Sequence, residues 1–232
     1  GFNPINYPDL KFSYKVNVTA LQGNQFKVSV DLDKPLPAEW IGKIGFNFEL
    51  FPGEPFGKAF LMDQQSGIFP RQSNGPIENI GGEFIATPLA SGNKLVVAPD
   101  DDKRRIVIEN ITKDSGAGKL ELWDGRANHN NGWYIVRTPI PANATKNAIE
   151  WIITPNVVKG WQYEPVLQVS QIGYSTKQPK KLVIEQDATD LKTDEVSIFR
   201  LTETGKQLVR KAKPQTWGNF LRYNYLTYDF SD

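Results

Sequence analysis

The chain has 232 residues, 39% of them hydrophobic and 12% aromatic, which is material for one large or two smaller self-supporting domains. Its 27 Lys and Arg against 26 Asp and Glu leave a net charge of +1, so composition offers no electrostatic case for a nucleic-acid or anionic-membrane partner. Cysteine is absent, which excludes disulfides, thiolate metal sites and cysteine nucleophiles.

In chain order, the opening "GFNPINYPDL" lacks the basic-then-apolar layout of a leader, and any leader is taken as already removed. "LKFSYKVNVTAL" then alternates at Phe12, Tyr14, Val16 and Val18, and "QFKVSVDL" repeats the period at Phe26, Val28 and Val30. The intervening "QGN" contains Gly23 and Asn24, which tolerate positive φ, so the pair reads as a hairpin. A short helical candidate around "LPAEWIGKI" ends at Gly42, and "KIGFNFELF" resumes the alternation at Ile44, Phe46, Phe48 and Leu50. The Gly- and Pro-rich stretch 51–82 predicts long loops with at most one strand, at Lys58–Met62. "KLVVA", "RRIVIENI", "KLELW", "GWYIVRT" and "AIEWIIT" follow as short β-branched or aromatic runs bounded by turn residues. No stretch carries a helical apolar stripe over three turns, and none reaches the ~20 apolar residues of a spanning helix. The expected class is all-β, with a β-sandwich as the first unit.

The densest cluster of polar and aromatic residues is "LWDGRANHNNGWYIV". It holds Trp123, Asp124, Arg126, the single histidine His129, Trp133 and Tyr134. Aromatic faces that stack on the C–H face of a pyranose, with Asp, Arg, Asn and His reaching hydroxyls, are the ingredients of a sugar-binding site. These six residues are therefore carbohydrate-binding candidates. The same spacing also fits a hairpin whose tryptophans simply point inward. His129 has no second His or Cys to complete a transition-metal set, and no Gly-x-Ser-x-Gly signature supplies a nucleophile, so no metal, cofactor or catalytic residue is assigned. "PDDDKRR" lacks the alternating oxygen ligands and the glycine of a calcium loop and reads as a solvated turn. Trp40, Trp151, Trp161 and Trp217 are expected in the core or between units. Asn17, Asn110 and Asn143 each open an Asn-x-Ser/Thr sequon.

Pro165 interrupts the chain and a fresh alternation begins at Val166, which divides it into modules 1–164 and 165–232. The second begins "VLQVSQIGYSTKQPKKLVI" and continues with "FRLTETGKQLV", Trp217-Gly218 and the closing "YDFSD". Gln171, Gly173, Tyr174, Pro179 and Lys180 are the residues in which this stretch resembles the N-terminal immunoglobulin-like module of family 9 glycoside hydrolases, the cellulase family; Ser170 stands where that family more often has Asn. The motif residues Gln171, Gly173, Tyr174 and Trp217 have structural readings. Gly173 suits a sharp bend, Tyr174 a buried ring with a bonded hydroxyl, and Gln171 the backbone groups that the bend leaves open.

The resemblance implies that chemistry belongs to a separate helical barrel, in which one Asp activates water and a Glu protonates the leaving oxygen. That barrel, a downstream domain of the same polypeptide, is the implied partner, with a β-glucan or related plant polysaccharide as a second. The chain is accordingly expected to be a non-catalytic N-terminal piece of a larger bacterial hydrolase, secreted, periplasmic or on the cell surface. The module is expected to present an apolar patch near Trp217, Phe220 or Tyr225 to the barrel. A free-standing glycan-capture protein and a ligand-free spacer are the alternatives.

Overall fold

A computed structural model describes residues 11–73, 75–113, 118–127, 132–190 and 193–231. The chain is all-β: among these residues the only helical pieces are two short 3-10 turns, Ala38–Trp40 and Gly125–Ala127. It forms two compact units, 1–158 and 159–232.

The first unit contains β1 (Tyr14–Ala20), β2 (Phe26–Leu32), β3 (Gly45–Leu50), β4 (Ala59–Met62), β5 (Gln65–Ile68), β6 (Ile77–Ile80), β7 (Glu83–Ala86), β8 (Ala90–Gly92), β9 (Lys94–Val97), β10 (Ile106–Asn110), β11 (Leu120–Asp124), β12 (Tyr134–Pro139) and β13 (Ile149–Pro155). A seven-stranded sheet runs β1-β2-β13-β10-β9-β4-β5, and a four-stranded sheet runs β3-β12-β11-β8. Their inner faces meet over one core, because period-two alternation sends every second side chain inward. Trp151, Ile108 and Leu95 enter it from the large sheet, and Leu122, Tyr134 and Val136 from the small one. Trp151 meets Phe46 edge-on at 5.0 Å and donates its indole N–H to Thr138 Oγ1 at 3.2 Å. The large sheet outreaches the small one at β1. Tyr14, Val16 and Val18 share a face with buried Leu32, Val30 and Val28, yet are themselves exposed.

One expectation is corrected. Stretch 51–82 contains three strands rather than at most one: β4 pairs with β5, and β6 pairs with β7 just beyond. Asp63 takes a positive φ at the β4–β5 turn and accepts hydrogen bonds from the N–H groups of Asn93 and Lys94, so an aspartate forms this turn without a glycine. The helical candidate near Trp40 is a single 3-10 turn.

The second unit contains β14 (Val166–Gln168), β15 (Lys181–Asp187), β16 (Val196–Thr202), β17 (Gly205–Ala212), β18 (Gln215–Phe220) and β19 (Tyr223–Asp229). The order β14-β15-β19-β18 makes one sheet, and β16 and β17 form a separate ribbon. Leu182, Ile184 and Tyr228 are its buried centre, with Val196, Ile198 and Ala212 of the ribbon packed against them.

Candidate functional site

The alternation of β11 and β12 splits the sequence-predicted cluster between two faces. Asp124 and Tyr134 are opposite one another in register and turn inward, buried at 2% and 0% exposure. Arg126 joins them from the turn that follows β11. It donates through Nη2 to Asp124 Oδ2 at 2.8 Å and through Nε to Asp124 Oδ1 at 2.9 Å. It also donates to the carbonyls of Pro70 and Arg71 at 2.6 and 2.7 Å, and its guanidinium lies over the rings of Phe56 and Tyr134. The Tyr134 hydroxyl donates to the Pro70 carbonyl. Burial pushes the Tyr134 phenol up to about 12, and the Asp124 carboxylate raises Arg126 further above the usual arginine range. Asp124 holds the Arg126 guanidinium, and Arg126 and Tyr134 in turn bind the carbonyls of Pro70 and Arg71. Asp124, Arg126 and Tyr134 thus form an internal anchor for residues 70 and 71. His129 lies outside the described residues.

Trp123 and Trp133 turn the other way. On the outer face of the small sheet, Trp123 is opposite Ile135, which is opposite Glu49. One row further along, Glu121 is opposite Arg137, which is opposite Asn47. Trp123 is half-buried and donates its indole N–H to Glu121 Oε2 at 2.8 Å, which fixes the ring. Arg137 donates Nε to Asn47 Oδ1 at 3.1 Å. Just past the strand ends, Trp133 and Phe51 meet edge-on at 5.1 Å and are 39% and 58% exposed. Beside Phe51 a groove of about 410 Å³ opens, with Glu54, Arg104, Arg105 and Asn156 among its lining. The face thus combines three aromatic side chains with carboxylate, guanidinium and amide groups, the makings of a site for a neutral polyhydroxylated chain.

Phe51, Glu121, Arg137 and Asn47 were missed in the sequence. Glu121 was readable from its i−2 spacing to Trp123. The other three reach the site by strand pairing or past a strand end, and register is not written locally.

In the second unit, Gly173 has φ +84° and donates its N–H to the Ser170 carbonyl at 3.2 Å, closing a tight turn. Tyr174 is half-buried against Phe230 at 5.4 Å; its hydroxyl donates to the Lys181 carbonyl at 2.6 Å and accepts from Ser170 N–H at 3.1 Å. Gln171 is exposed and has no side-chain partner among the described residues. Ser170 does that work instead, donating Oγ to the Gly173 carbonyl at 2.9 Å. Trp217 is 70% exposed and so lies outside the core of its unit. A register shift between Thr216 and Gly218 leaves it without a partner on β19, and a bulge of that kind re-aims a side chain outward.

"PDDDKRR" is an ordered turn. Asp101 accepts from Lys103 N–H at 3.0 Å, Lys58 Nζ at 2.9 Å and Arg104 Nη1 at 3.1 Å, and hydrogen bonding led by Lys58 holds its carboxyl at about 2. Among the described residues no group of three or more His, Cys, Asp or Glu is placed to hold a metal ion, and no helix is long and apolar enough to cross a membrane. The Asn110 sequon is tied into the fold: its amide donates to the Gly118 carbonyl at 2.8 Å and its carbonyl accepts from Thr112 Oγ1 at 2.7 Å.

The chain matches no known family model, no curated protein and no solved structure.

Proposed function

We propose that the chain is a non-catalytic accessory region of a bacterial glycoside hydrolase of the cellulase type. Its first unit holds a β-glucan or related plant polysaccharide, and its second braces a catalytic domain of the same polypeptide. The observation that carries the binding role is the gathering of Trp123, Trp133 and Phe51 on one outward face beside Glu121, Arg137 and Asn47. Stacked rings contribute about 1 kcal/mol each, so affinity is modest and grows with the length of the glycan. The bracing role, and a place outside the cytoplasm, rest on the residues around Gly173 and Tyr174 that resemble the cellulase module.

Affinity electrophoresis in gels containing lichenan, xyloglucan, xylan or carboxymethylcellulose tests the binding role. Retardation by at least one of them, weakened in Trp133→Ala and in Phe51→Ala, is the expected result. Wild-type retardation that both variants keep would rule out this face. Reducing-sugar assays on the same four polysaccharides are expected to stay at the buffer blank, and release that survives repurification would overturn the non-catalytic reading.

A further inference from the structure

We propose that the second unit carries its own sugar subsite, a cleft between Trp217, Phe220 and Tyr225 that takes one pyranose ring of a neutral glycan. The proposal rests on the polysaccharide-binding reading for the class of ligand, but on separate residues. The cleft has a volume of about 560 Å³ and is lined by Trp217, Gly218, Asn219, Phe220 and Tyr225. Trp217 and Phe220 are 70% and 66% exposed, a costly display of apolar surface on a unit whose own buried centre is small.

Three features give the cleft a built character. The bulge between Thr216 and Gly218 takes Trp217 out of the β18–β19 ladder and turns it outward. Tyr225 is locked: its hydroxyl donates to Glu185 Oε2 at 2.9 Å, and its ring stands at 87° to that of Trp217 with centroids 5.8 Å apart. Gly218 leaves the cleft open beside Trp217, since a Cβ built there meets no atom within 4 Å. One ring face and one ring edge at right angles, next to an empty glycine, form a corner rather than a flat patch.

The chemistry of the corner selects its occupant. None of the lining residues is charged, so an ionic ligand gains nothing there. A pyranose offers an apolar C–H face to the Trp217 ring, on the sheet face that Gly218, Phe220 and Tyr225 share by register. Loss of one stacked ring lowers affinity by roughly two- to tenfold.

The test uses the full chain in the same polysaccharide gels, with Trp217→Ala and Gly218→Leu as variants. Gly218→Leu fills the corner and keeps all three rings, and the backbone there is outside the positive-φ region, so the fold tolerates it. Each variant is expected to weaken retardation by roughly two- to tenfold at unchanged melting temperature, including in a Trp133→Ala background. Retardation unchanged in both variants, while Trp133→Ala weakens it, would overturn the subsite and leave the first unit's face standing. Sedimentation equilibrium supplies the other arm. Self-association that Trp217→Ala abolishes, with no change in retardation, would make the corner a protein contact and overturn the proposal.

Discussion

Tyr134 and Trp133 are adjacent in the chain, one buried and one exposed, which makes them separable by mutation. Tyr134→Phe removes the hydroxyl that bonds Pro70 and Arg126 but keeps the buried ring. It is expected to cost about 1–2 kcal/mol of stability, seen as a lower midpoint in urea, with polysaccharide retardation unchanged. Arg126→Ala is expected to be harsher, because it leaves the Asp124 carboxylate buried and unpaired, at a cost of about 3–5 kcal/mol. A Tyr134→Phe protein that lost glycan binding at unchanged stability would return Tyr134 to the binding site. At the same scale, Asp101 makes acid stability testable. Its folded carboxyl is held at about 2, below the ordinary value of 3.8, so the stabilisation is present above pH ~4 and fades as pH falls toward 2. Asp31, Asp187 and Asp229 are lowered in the same direction, led respectively by the Asn147 N–H, the Arg222 guanidinium and the Ser231 hydroxyl. Asp101→Asn is expected to flatten the decline of the melting temperature between pH 4 and 2, and a slope equal to wild type would count against the assignment.

Among the elements, the ones readable in the sequence are those whose two faces differ. β1 and β2 alternate cleanly around a Gly-Asn turn, and β11 to β13 are bounded by polar turns, so their existence needs nothing beyond the period. β5 and β6 were hidden for physical reasons. Gln65–Ile68 reads QSGI and Ile77–Ile80 reads IENI, with no apolar alternation, because almost none of these side chains is covered. Gly67 shows what holds β5: a Cβ there would stand 2.4 Å from Cζ of buried Phe60, so the strand lies directly on that ring. Gly67→Ala is therefore expected to destabilise the first unit by about 1–3 kcal/mol, measured by chemical denaturation. The candidate site was half legible for a related reason. A six-residue cluster around a turn shows which side chains are near one another in sequence. Only the pairing of β11 with β12 shows that Trp123 and Asp124 end on opposite faces.

At the scale of the whole molecule, the two units differ in how much they bury. The first encloses Trp151, Tyr134, Phe69, Met62 and a continuous aliphatic layer, while among described residues of the second only Leu182, Ile184 and Tyr228 form the buried hydrophobic centre. The hydroxyl of Tyr228 is itself buried and has no hydrogen-bond partner among the described residues, which subtracts from an already small core. Apolar burial scales with area at about 25 cal/mol per Å², so the second unit is the weaker one by the dominant stabilising contribution. Exposed Phe199, Leu201, Leu208 and Val209 on β16 and β17 point the same way, since apolar side chains left in water contribute little to holding the ribbon in place. Native-state hydrogen exchange is expected to show amides of β15 and β19 opening at lower free energy than those of β10 and β13, which lie centrally in the large sheet. Saturating polysaccharide should then protect the second unit as well as the first, because a ligand that binds only the folded form stabilises it by mass action. If the β18–β19 amides stay as fast with ligand as without, while those of β11 and β12 slow, then binding is confined to the first unit, and the second is a brace alone.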